Sequence, residues 1–167
     1  MRIRPEREAD RAQVRAVNTA AFETSLEATL VESLNAQDLQ LVSLVAEIEG
    51  VVVGHIMFSP VSLTDYPQLK LMGLGPIAVT PHHQRKGIGS ALVHAGLRRC
   101  RELHCKAVVV VGHPQYYPRF GFVPASRWGI RSEYDVPDDV FMLAELEPGS
   151  LRGVTGLVRY HECFSRV

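Results

Sequence analysis

Apolar residues recur along this 167-residue chain with two periods, and the changes of period divide it into elements. A short first strand is expected over residues 2–4, closed by Pro5. Over residues 8–22, Val14, Val17 and Ala21 keep one side of a helix, with acids near its start. A second helix is predicted over residues 25–35: Leu26, Leu30 and Leu34 fall at i, i+4 and i+8, and Ser25 is a candidate N-cap. The pattern then turns β-branched. LVSLVAEI (41–48) and VVVGHIMF (51–58) flank Glu49-Gly50, which reads as a hairpin. SPVSLTDYPQ is a loop or a ragged strand extension. Residues 69–79 form a third long strand, where Gly73, Gly75 and Pro76 point to a bulge or a strand edge.

Helical spacing returns with Ile88, Ala91, Leu92 and Ala95, and this helix should last to about residue 104. KAVVVVG (106–112) is a short unbroken apolar run, the mark of a strand buried on both faces. A turn, or one helical turn, and a strand are expected over 113–122, with two further strands over 141–146 and 154–160. The order predicts one α+β (mixed α/β) domain spanning residues 1–167, with a strand–helix–strand unit centred on Gly87 and Gly89.

Composition narrows the partners. Apolar residues are 46% of the chain, enough for a buried core, so disorder is not expected. Lys+Arg and Asp+Glu are 18 each, and a net charge of zero argues against nucleic acid or an anionic membrane as a partner. Cys100, Cys105 and Cys163 are odd in number and lack CxxC spacing, which fits reduced thiols in a cytoplasm. The N-terminus has no apolar core of a secretory signal, and no run is long enough to span a membrane.

The chemistry concentrates at HQRKGIGSAL (83–92), between a strand and a helix. First-turn amides of a helix lack internal partners and carry the positive end of its dipole. Gly87 and Gly89 remove Cβ atoms where a ligand would approach, and Arg85 and Lys86 add mobile charge. The combination suits a polyanion such as a pyrophosphate, although a plain helix start with a solvated basic face has the same composition. A dinucleotide fingerprint fails because its third glycine would be Leu92, and a P-loop fails on spacing and on its missing Lys-Ser pair.

The pattern that fits is Q-x-x-G-x-G, present as Gln84-Arg85-Lys86-Gly87-Ile88-Gly89 after IAVTP (77–81). It resembles the coenzyme A signature of the GNAT superfamily of N-acetyltransferases. Farther on, Tyr117-Pro118-Arg119-Phe120-Gly121-Phe122 matches that family's aromatic residue, short turn and Gly-Phe, one helix and one buried strand later. The longer form GHPQYYPRFGF (112–122) is similar to a bacterial subgroup whose substrates are mostly undefined. The resemblance implies a central, mostly antiparallel, splayed sheet flanked by helices. It implies that the backbone of Arg85, Lys86, Gly87, Ile88, Gly89 and Ser90 holds the pyrophosphate of acetyl-coenzyme A, the cosubstrate. Ile77 and Val79 would pair with the pantetheine arm, and an amide near Ile77 would face the acetyl carbonyl oxygen. One such fixed donor is worth roughly 3–4 kcal/mol.

The implied reaction is attack by a primary amine on the thioester. An alkylamine of pKa about 10.4 is almost wholly protonated near pH 7, so using its neutral form costs on the order of 4–5 kcal/mol. Tyr117 stands at the family's acid position, four before Gly121, with Tyr116 the runner-up and core packing the structural alternative. No acid lies on LMGLGPIAV, where many relatives carry a base. Glu47, His55 and His113 remain, of which His113 sits beside the proposed acid, and loss of the proton directly to water is an equal alternative.

His82-His83, His104-Cys105 and His161 with Cys163 have no recognised metal spacing, so no metal is expected. The acidic segment EYDVPDD (133–139) reads as a solvated loop or a frame for a cationic amine, and Trp128 as a pocket wall or a core cap. The function expected is acetyl-coenzyme A-dependent transfer to an amine of unidentified identity, by a cytoplasmic monomer or homodimer. A catalytically silent acyl-coenzyme A sensor of the same fold is the alternative.

Overall fold

The change of period at residue 41 is where helix gives way to sheet. The computed structural model describes residues 1–166, in the order β1 (Arg2–Pro5), α1 (Arg11–Phe22), α2 (Leu26–Asn35), β2 (Val42–Ile48), β3 (Val51–Leu63), β4 (Leu71–Val79), α3 (Ile88–Glu102), β5 (Ala107–Val111), β6 (Val123–Pro124), β7 (Ile130–Ser132), β8 (Phe141–Glu145) and β9 (Gly156–Arg159). Short 3-10 turns punctuate the loops. Two units share the chain: Met1–Ser59 with Gly75–Arg98 and the stretch from Glu162, and Pro60–Leu74 with Arg99–His161. Strands β3 and β4 each contribute to both.

In the first unit β1, β2 and β3 pair antiparallel, and the hairpin turns where expected, with Glu49 and Gly50 at φ 49° and 80°. A bulge opposite Ala46 and Glu47 skips Val53, so the side-chain parity of β3 reverses there. Val52 therefore shares a core with Met57, Val45 and Ala78, packed against Val14, Val17, Leu30, Val31 and Leu34 of α1 and α2. Alternation places Gly54 and Phe58 on the opposite face, toward α3. An added Cβ on Gly54 would meet Ile88 and Leu92 at 3.2 and 3.1 Å, and one on Gly96 would meet the Phe58 ring at 2.1 Å. A small residue on the strand receives the start of the helix, and a small residue on the helix receives the strand's phenylalanine.

Arg4 of β1 grips Asp10 through two bonds of 2.7 and 2.9 Å and reaches Glu47 at 3.0 Å. The Arg4 guanidinium holds the Asp10 carboxyl down to about 2. Residues 8–10 form a 3-10 turn ahead of α1. Ser25 makes no side-chain cap to α2; the Leu26 amide donates to Thr24 Oγ1 at 3.4 Å instead.

In the second unit β5 lies parallel to β4 and antiparallel to β8, which also pairs with β6. Ala107 to Val110 are buried and Val111 is exposed, so the apolar run is a central strand until its last residue. The β4–β5 ladder runs from Leu71–Ala107 to Gly73–Val109 and ends there. The segment after Phe58 continues β3 to Leu63, where Ser62 and Leu63 pair with β9. β7, which the hydrophobic pattern does not predict, runs parallel to β9. Val61, Leu71, Val109, Ile130, Phe141, Leu143 and Val158 form this unit's core.

Helix α3 stops through a left-handed residue, His104 at φ 64°. The His104 amide donates to Arg101 O at 2.9 Å and the Cys105 amide to Cys100 O at 3.0 Å, the two reverse bonds of a Schellman stop.

Candidate active site

The turn ahead of α3 is built by its own side chains. The Thr80 amide donates to Val53 O at 2.9 Å, which anchors the end of β4 on β3. His83 Nδ1 lies 3.0 Å from Thr80 Oγ1, and Gln84 Nε2 donates to Val79 O at 2.9 Å. Gln84 thus ties the turn back to β4, a role that its place in the Q-x-x-G-x-G pattern does not reveal. Arg85 and Gly87 then adopt left-handed backbone, at φ 63° and 84°. For arginine that conformation is uncommon, and such residues cluster at functional sites. The first i→i−4 bond of the helix is Ala91 N to Gly87 O at 3.0 Å, so the amides of Ile88, Gly89 and Ser90 come before the ladder.

An added Cβ on Gly87 would meet nothing within 4 Å, so open space borders the turn. Arg85, Lys86 and Gly87 are exposed, Gly89 and Ser90 are half-buried, and Ile88 is buried. Amides ahead of the ladder, alternating backbone hand, open space at Gly87 and two exposed cations are the features that suit a pyrophosphate. Just before it, Ile77 and Val79 are half-buried on β4 while Ala78 between them is buried.

Residues 113–122 carry the aromatic motif. A 3-10 turn, Tyr117–Phe120, ends at Gly121 with φ 93°. Arg119 clamps it, with Nε donating to Tyr116 O at 2.8 Å and its guanidinium 4.6 Å over the Tyr116 ring. Tyr117 is 7% exposed. Its ring meets Tyr116 and Phe122 edge-on, at centroid distances of 5.1 and 5.7 Å. Burial, with Tyr116 adding to it, pushes the Tyr117 hydroxyl up to about 12. His113 is exposed, and its carbonyl accepts the Tyr116 amide at 3.1 Å.

The other two base candidates are committed elsewhere. Glu47 accepts from Arg4. His55 is 0% exposed; Asn18 Nδ2 lies 3.1 Å from its Nδ1 and Ser43 Oγ 2.9 Å from its Nε2. Ser43 in turn donates to Glu6 at 2.5 Å. With Nδ1 accepting from the amide, the proton sits on Nε2 and burial holds the imidazole neutral. His55 is a sealed structural histidine, which its position on a strand did not reveal.

In the second unit a cavity of about 370 Å³ is lined by Arg131, Glu133, Tyr134, Asp135 and Asp138 among others. Ser126 donates to Asp138 at 3.1 Å and the Tyr160 amide to Glu133, so two of these acids brace their own loop. Trp128 packs on the second unit's core. No helix among the described residues is long and apolar enough to cross a membrane.

The model of the acetyltransferase (GNAT) family matches residues 11–122. The chain is 36% identical over 167 residues to the uncharacterized N-acetyltransferase YhbS of Escherichia coli K12, covering 99% of both chains. It is 39% identical over 134 residues to the uncharacterized N-acetyltransferase YjhQ of the same organism, covering 78% of this chain and 74% of YjhQ. The crystal structure of E. coli YhbS in complex with coenzyme A superposes with a TM-score of 0.94, covering 99% of this chain and 92% of that one. A GNAT acetyltransferase of Brucella melitensis in complex with acetyl-coenzyme A superposes with a TM-score of 0.81 at 34% identity, covering 98% and 97%. With its glycine turn, its mixed sheet flanked by helices and these relatives, the chain belongs to the GNAT family of N-acetyltransferases.

Proposed function

We propose that this chain transfers the acetyl group of acetyl-coenzyme A to a primary amine. The observation that carries the reading is the turn ahead of α3, where Arg85 and Gly87 are left-handed and open space borders the amides that precede the helical ladder. Bound there, acetyl-coenzyme A supplies an activated acetyl thioester. The backbone of residues 85–90 holds its pyrophosphate, and Ile77 and Val79 hold the pantetheine arm. The Ile77 amide, the first N–H after Pro76, stabilises the oxygen on which charge develops.

Tyr117 serves the departing sulfur. A hydroxyl held near 12 is a weaker acid than a thiol of about 8.5, so full proton transfer to the sulfur runs uphill by on the order of 5 kcal/mol. Donation of a hydrogen bond stabilises the growing thiolate charge without that cost, and Tyr117 keeps its proton throughout the neutral range. The amine's proton leaves to water, and His113 is the one exposed side chain among the three base candidates.

The odd number of cysteines and their lack of CxxC spacing support a reducing, cytoplasmic setting, and the zero net charge supports a small-molecule or protein amine over nucleic acid. We assign a monomer or homodimer of one functional domain. Isothermal calorimetry with acetyl-coenzyme A tests the binding half. Heat of binding is expected, and its absence at millimolar ligand would remove the coenzyme from the account. Binding without turnover on any amine would favour the silent sensor.

A further inference from the structure

Gly112 follows β5 directly, and its amide donates to Val140 O at 3.0 Å, which pins the backbone. Its φ lies outside the left-handed region, so the backbone does not call for glycine there. A neighbouring side chain does. A Cβ at this position would lie 2.3 Å from Tyr117 Cε2, 2.9 Å from Cδ2 and 3.2 Å from Cζ, three atoms of one ring edge including the carbon that bears the hydroxyl. The ring has little room to yield, because Phe122, which is 0% exposed, and Tyr116 meet it edge-on. Ordinary contact begins near 3.4 Å, so a methyl group would have to drive Cε2 away by about 1.1 Å and the hydroxyl-bearing Cζ by about 0.2 Å.

We propose that Gly112 is a positioning residue for acetyl transfer: its missing side chain is the seat of the Tyr117 ring and fixes where the Tyr117 hydroxyl stands. The proposal rests on the reading that Tyr117 assists the departing sulfur. A displacement near 1 Å of a reacting group costs about a hundredfold in rate, which is the upper bound for a hydroxyl on a ring whose nearest atom must move that far. Gly112 acts only through Tyr117, so its effect on turnover requires the hydroxyl to be present.

The test compares Gly112→Ala, Tyr117→Phe and the double variant. Turnover is read as thiol release from acetyl-coenzyme A with a panel of aliphatic amines, and the Tyr117 Cζ resonance is read in protein labelled with ¹³Cζ-tyrosine. Gly112→Ala is expected to lower kcat tenfold to a hundredfold with KM for acetyl-coenzyme A unchanged, and to move the Tyr117 resonance and its titration midpoint. The double variant is expected to turn over as Tyr117→Phe does. An unmoved resonance in Gly112→Ala, parental kcat in Gly112→Ala beside an impaired Tyr117→Phe, or losses that multiply in the double variant would each overturn the inference. Full activity in Tyr117→Phe would instead bring down the reading that Tyr117 assists the departing sulfur, and the inference with it. If Gly112→Ala does not fold, Gly112→Ala/Tyr117→Leu is expected to fold because the ring has gone, and its failure to do so would refute the contact. The resonance measurement needs no acceptor amine.

Discussion

Replacing Gly96 by alanine sets two known effects against each other. Gly96 lies inside α3, where alanine is the better helix former by about 1 kcal/mol. On propensity alone the variant should be more stable. The structure predicts the opposite, because the new Cβ would sit 2.1 Å from Phe58 Cε1 and 2.5 Å from Cζ. Phe58 is 0% exposed, so its ring can reach ordinary contact only by pushing on packed neighbours. Overpacking of a filled core costs about 1–3 kcal/mol, and two ring atoms under 3.0 Å place this case near the upper end. The net expectation is a loss of about 2 kcal/mol, read as a lower urea midpoint with an unchanged denaturant slope. In the Phe58→Leu background the same glycine-to-alanine change should cost far less, since the atoms it strikes are gone. A Gly96→Ala protein about 1 kcal/mol more stable than the parent would show that α3 does not rest on Phe58 as described.

Gly87→Val forces a β-branched residue to φ 84° and fills the space beside the turn, so coenzyme A binding by calorimetry should weaken at least tenfold. Gly50→Val at φ 80° imposes similar strain in the hairpin with nothing nearby, and should lose stability while keeping affinity; equal affinities in the two variants would misplace the pyrophosphate. Stability should also fall in acid in two stages. Burial lowers His55 to about 3 from an ordinary value near 6.5, despite Glu6 at 3.8 Å, so the unfolded chain binds the extra proton and stability declines as pH drops from about 6.5 toward 3. Asp10, held at about 2 by Arg4, adds a further loss below about 3.8. His55→Gln should flatten the first stage in urea melts, and an unchanged slope there would contradict a neutral buried imidazole.

The parts of the site that sequence conveyed are those whose chemistry is local. Glycines at a helix start leave the backbone open to a ligand, and a short unbroken apolar run such as Ala107 to Val110 is the mark of a central strand. What it hid depends on tertiary neighbours. His55 carries the same letter as an exposed histidine, and only its enclosure by Asn18 and Ser43 removes it from the candidate bases. Ser25 is a good capping residue type, but Thr24 is the side chain whose oxygen reaches the Leu26 amide. β7 spans three residues and is defined by its partner β9 more than by any pattern of its own. Gly112 reads as the end of a strand until Tyr117 is seen against it.

Thiol release from acetyl-coenzyme A by the purified protein, with and without a broad panel of primary amines, tests the central claim most directly. The account predicts release that depends on an amine, saturates with acetyl-coenzyme A, and yields an acetylated amine in equal amount by mass spectrometry. Tight coenzyme binding with no amine-dependent release across the panel would contradict it.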